Sequence, residues 1–127
     1  MNIYTHSSPL SFDQTIETLK EKLAEAKFGV LAVIPLSEKF KDKGLAFDSR
    51  ITILEVCNPF EAYTAIGINP TTVNFLPCKL VVAETSGKVT IQMARPSELI
   101  ALLGDPALQT FALKIETTLT AITDTIV

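Results

Sequence analysis

The chain has 127 residues, one domain's worth, and folding a chain of this size buries roughly two thirds of its unfolded surface. With 47% apolar residues and a mean hydropathy of +0.33 it is no disordered chain, and with 7% aromatic residues and no tryptophan its core must be aliphatic. A net charge of −3 builds no field for a polyanion, so nucleic acid is excluded as a partner; the one lysine cluster, Lys39, Lys41 and Lys43, is diluted by Glu38 and Asp42.

The N-terminal MNIYTHSSPL has no basic region followed by an apolar one, as a signal peptide requires. The longest apolar run, VLAVI at 30–34, is far short of the ~20 residues that span a bilayer. No membrane role is expected. The expectation is a cytoplasmic protein with both cysteines reduced.

NIYTH (2–6) reads as a short strand. SFDQ follows, with Ser11 as N-cap and Gln14 three residues on, a capping box. Phe12, Ile16, Leu19 and Leu23 form the apolar stripe of the first helix, and Gly29 is expected to help end it. FGVLAVIPL (28–36) is continuously apolar and predicts a central strand. SEKFKDKG (37–44) is a polar helical turn anchored by Phe40.

RITILEVC (50–57) is the next strand. Its alternation puts Ile51, Ile53, Glu55 and Cys57 on one face and Thr52, Leu54 and Val56 on the other. Asn58 is an N-cap, Pro59 suits the first helical position and Glu61 falls where a capping box closes. The helix predicted over 59–66 carries Phe60, Tyr63 and Ile66 on one face and stops at Gly67.

FLPCKLVVAE (75–84) predicts a strand, with Pro77 at its start or on an edge. Ser86-Gly87 is a hairpin signal, and KVTIQMA (88–94) returns with Val89, Ile91 and Met93 inward. RPSELIALLG (95–104) is a short helix. Asp105 and Pro106 open a last helix whose stripe is Leu108, Phe111, Ala112, Ile115, Leu119, Ile122 and Ile126. The hairpin and mixed connections argue a single α+β domain over 1–127. It should be a largely antiparallel sheet of about five strands with helices packed on one face and minor helices inserted.

Few residues carry chemistry. Cys57 precedes a helix N-cap, where the helix dipole and free N–H groups stabilise a thiolate, which makes it the best catalytic candidate. Glu55 on the same face opposes that by its charge, and a buried Glu55 needs a partner, for which Arg50, Lys79 or a helix N-terminus are candidates. Cys78 has no adjacent base. A Cys57–Cys78 disulfide requires neighbouring strands and an oxidising compartment. Two cysteines and the sole histidine, His6, are too few for a zinc site, so no metal is expected. No glycine-rich phosphate loop or serine nucleophile elbow appears, and no cofactor is expected. The ligand-binding candidates are Glu55, Cys57, Asn58, Tyr63 and Cys78.

These residues also carry a resemblance. ITILEVCNPFEAYTAI and FLPCKLVV, with FGVL after the first helix and GDPAL before the last, are similar to the bacterial and archaeal domain-of-unknown-function family numbered 302, over roughly residues 10 to 125. Cys57, Asn58 and Pro59, and Leu76, Pro77 and Cys78, are the matching elements. The resemblance implies a TATA-binding-protein-like β-α-β4-α sandwich and a small soluble homodimer, and brings no activity with it. The chain departs from the family pattern twice. Lys27 stands where a glycine is expected before Phe28, and Glu55 where a small residue is expected. Together these readings favour a non-enzymatic homodimer that binds a small molecule or a partner in a pocket near Cys57. The alternative is a sulfur-carrier or redox protein using the Cys57 thiol.

Overall fold

Five strands, β1 (Ile3–Ser8), β2 (Gly29–Ile34), β3 (Arg50–Cys57), β4 (Cys78–Thr85) and β5 (Lys88–Ala94), form one sheet in the order β1-β5-β4-β3-β2, and every neighbouring pair is antiparallel. The computed structural model describes residues 1–127. Five helices accompany the sheet: α1 (Phe12–Glu25), α2 (Leu36–Asp42), α3 (Pro59–Ile68), α4 (Pro96–Ala101) and α5 (Gln109–Asp124). Two 3-10 turns, Pro70–Phe75 and Pro106–Leu108, precede β4 and α5. The α+β class and the β-α-β4-α order are as expected. No helix is long and apolar enough to cross a membrane.

The core lies between one face of the sheet and the pair α1 and α5. Leu19 and Leu23 of α1 and Leu119 of α5 are fully buried against Leu54 and Val56 of β3, Leu80 and Val82 of β4, and Ile91 of β5. Burying each such side chain contributes about 1.5–3 kcal/mol, which is what holds the threonine-rich α5 in place despite its poor propensity. The capping box at α1 forms as read: Gln14 N donates to Ser11 Oγ at 3.1 Å and Ser11 N to Gln14 Oε1 at 3.4 Å. The Ser86-Gly87 turn closes the β4–β5 hairpin with both residues at positive φ, 52° and 76°.

Three expectations need correction. β2 is an edge strand, not a central one. It pairs only with β3, and a register shift between Val30 and Ala32 leaves Leu31 62% exposed. Continuous apolarity marks burial in many strands but cannot distinguish a buried centre from an apolar edge.

The first helix ends without help from Gly29, which lies in β2. The left-handed residue after the helix is Lys27, at φ 66°. α3 runs through Gly67 to Ile68 and buries Ala62 and Ala65, while Phe60 and Tyr63 are 74% and 84% exposed. The smaller residues face inward because α3 lies close against the second core cluster of Ala65, Ile100, Leu108 and Ala112. The β1 strand read from NIYTH pairs with β5 along its whole length, and His6 Nε2 meets the Ile126 carbonyl oxygen at 2.6 Å.

Candidate functional site

The alternation of β3 is as read, and its buried face is Thr52, Leu54 and Val56. Glu55 therefore stands on the opposite, half-buried face. Its direct cross-strand partner in β4 is Lys79, and Lys79 Nζ lies 2.7 Å from Glu55 Oε1. Arg50, the other candidate side chain, is held elsewhere. It stacks over the Phe12 ring at 4.1 Å and reaches Asp13 at 3.3 Å.

At this end the sheet is forked. The β4–β5 ladder stops at Val81 and Gln92, although β4 begins at Cys78 and β5 runs to Ala94. β4 stays paired with β3 as far as Cys78, and β5 with β1 as far as Ala94. A cavity of about 350 Å³ occupies the fork. Cys78, Lys79 and Ala94 line it from the strands, with Glu55 beside them. Phe75 and Leu76 close it from the loop before β4, Leu99 and Ile100 from α4, and Phe111 and Ile115 from α5. Most of the wall is apolar, with Glu55 and Lys79 the charged groups on it. An apolar cleft with a few convergent polar groups is the ordinary form of a small-molecule site.

The two cysteines are free thiols. β3 and β4 are neighbours, but Cys78 is registered against Val56, one residue away from Cys57. The two cysteines are therefore not paired directly across the strands, and each keeps its thiol. Both residues border a small crevice shared with Phe28, Val56 and Phe111.

The helix amides that could have served the Cys57 thiol are taken by Asn58. Its Oδ1 accepts from Phe60 N at 3.1 Å and Glu61 N at 3.3 Å. Burial then pushes the Cys57 thiol up. Burial, with the nearby Cys57, pushes the Cys78 thiol up to about 11. Glu61 does not close the capping box. It reaches across to Lys114 of α5 at 2.6 Å and ties the two helices together.

Of the five sequence candidates, Glu55 and Cys78 line the cavity. Cys57 and Asn58 border the smaller crevice beside it. Tyr63 lines neither and points into solvent. Sequence reasoning missed the wall made by Phe75, Ala94, Leu99, Ile100 and Phe111, which comes from four separate segments. The signal that existed was Lys79, whose register opposite Glu55 follows from the two strands once they are paired.

The family model described as domain of unknown function DUF302 matches residues 4–126. No curated protein matches the chain. Among solved structures the chain is similar to the crystal structure of an uncharacterized conserved DUF302 protein from Bacillus stearothermophilus. The two are 41% identical, with 100% of this chain and 99% of that chain covered and a TM-score of 0.96. The Cys57-Asn58-Pro59 and Leu76-Pro77-Cys78 elements thus fall within the matched span, and the chain belongs to the DUF302 family.

Proposed function

We propose that this chain is a non-enzymatic binding protein, a homodimer that holds a small, largely apolar molecule in the cavity beside Glu55 and Cys78. The observation that carries the reading is the forked sheet end, which opens a volume of about 350 Å³ between β4 and β5 and walls it with side chains from α4 and α5. The chemistry around it favours binding over turnover. Glu55 is neutralised by Lys79, Cys78 is held as a thiol, and the amides in front of Cys57 are occupied by Asn58.

The pairing of two copies rests on β2. Gly29–Ile34 is a sheet edge with no charged residue and with Leu31 and Val33 exposed, and such edges are ordinarily blunted by charge or covered by a partner.

The neutral fluorophore N-phenyl-1-naphthylamine tests the binding reading. It is expected to give a saturable fluorescence rise with one site per chain, and Leu99→Trp, which fills the cavity from a half-buried position, is expected to abolish it. No saturable rise, or a rise that Leu99→Trp leaves intact, would overturn the reading. Light scattering is expected to give twice the 13.8 kDa mass of the chain.

A further inference from the structure

We infer that the ligand is a primary amine with an apolar body, whose ammonium group takes the place of Lys79 at Glu55. The inference rests on the binding reading above and names the class of molecule.

The two charged residues on the cavity wall are unequal. Glu55 has a short side chain on β3 and is 21% exposed, whereas Lys79 is 60% exposed at the end of a long flexible stem. A half-buried carboxylate needs a cation nearby, because removing its partner leaves a charge without full hydration. An ammonium needs no protein partner once it swings into water.

An incoming carboxylate or phosphate would therefore have to draw Lys79 away from Glu55. That would leave two anions sharing one cation across a narrow cleft. An incoming ammonium makes a one-for-one exchange: Glu55 keeps a charge-assisted hydrogen bond and Lys79 moves out to solvent. No other cation lines the cavity to receive an anion. Asn74, the remaining polar side chain at its edge, donates one amide N–H to the Thr71 carbonyl at 3.1 Å and brings no charge. The apolar body has Phe75, Leu99, Ile100 and Phe111 to lie against.

The test uses three probes of one shape and different head groups: 4-phenylbutylamine, 4-phenyl-1-butanol and 4-phenylbutyrate. Each competes with N-phenyl-1-naphthylamine at about pH 7.5, where the amine and the acid are both charged. The amine is expected to displace the fluorophore at a concentration on the order of tenfold below the alcohol, with the butyrate weakest. Glu55→Gln is expected to bring the amine down to the level of the alcohol without changing the alcohol. Lys79→Ala removes the internal competitor and is expected to tighten the amine several-fold while leaving the alcohol unchanged.

If the fluorophore binds and the butyrate or the alcohol displaces it as well as the amine does, the amine assignment is wrong and the cavity reading stands. Lys79→Ala weakening the amine would overturn the exchange as well. If the fluorophore itself does not bind, both fall.

Discussion

Glu55 and Lys79 sit directly opposite each other on β3 and β4, and their charged atoms meet at 2.7 Å beside the fork in the sheet. The pair accounts for a carboxylate on the strand face it shares with Ile51 and Ile53. It also marks the end of the sheet where β4 parts from β5. The exposure of its lysine sets how much the pair contributes. A cross-strand ion pair contributes about 0.2–1 kcal/mol, and solvent screening puts one with an exposed partner at the low end.

Lys79→Ala should therefore cost little in stability. Urea denaturation is expected to give a loss of no more than about 0.5 kcal/mol. A loss above about 1.5 kcal/mol would mean that Lys79 is a structural strut for the β3–β4 pair and not a displaceable counter-ion.

Lys27 carries a second prediction. It follows α1 with φ at 66°, a conformation that costs a side-chain-bearing residue roughly 1–2 kcal/mol and glycine almost nothing. Lys27→Gly is expected to stabilise the fold by about 0.5–1 kcal/mol, since glycine's larger unfolded entropy offsets part of the gain. For a chain of this size that raises Tm by roughly 2–6 °C. Glu21→Gly, inside α1 and exposed, is expected to lower it instead. A Lys27→Gly variant that melts no higher than the parent would refute the strain argument.

Cys78 gives a pH dependence of definite sign. Its folded pKa is about 11 against an ordinary thiol value of 9.0, so the folded state holds the proton more tightly. The stabilisation is complete below about pH 9 and is lost as the pH rises toward about 11. A rise of that size corresponds to at most about 2–3 kcal/mol. Cys78→Ala removes the titration and leaves a small cavity. Its stability deficit relative to the parent is expected to shrink between pH ~8 and pH ~10.5, measured by guanidinium unfolding. A deficit that stays constant over that interval would place the Cys78 thiol in ordinary contact with solvent.

Much of the fold was legible because local rules agree with one another here. Ser11 with Gln14, Asn58 with Pro59, and Ser86 with Gly87 mark element ends by short-range hydrogen bonding and backbone preference, and each stands where those rules put it. The inward faces of β5 and α5 follow from periodicity alone. The cavity was not legible, because its wall is assembled by tertiary packing from segments far apart in sequence. Two of the residues that the sequence singled out also misled. Tyr63 had the chemistry of a site residue, but α3 turns its two alanines inward and leaves Tyr63 in water. Cys57 had the right position beside a helix start, but Asn58 takes the amides that would have activated it.

The apolar edge of β2 supplies the last prediction. A strand with the sequence GVLAVI offers unpaired main-chain groups along one side and an exposed leucine at its register shift. A second copy that pairs here would cover both. Leu31→Lys places a charge on that edge, the device that natural sheets use to stop edge-to-edge pairing. Leu31 is already mostly in solvent, so the fold of the single chain should survive the change. Light scattering is expected to show the parent at twice the chain mass and Leu31→Lys at the chain mass, with unchanged far-ultraviolet circular dichroism. A parent of single-chain mass would remove the dimer, and a Leu31→Lys variant that stays paired would move its interface away from β2.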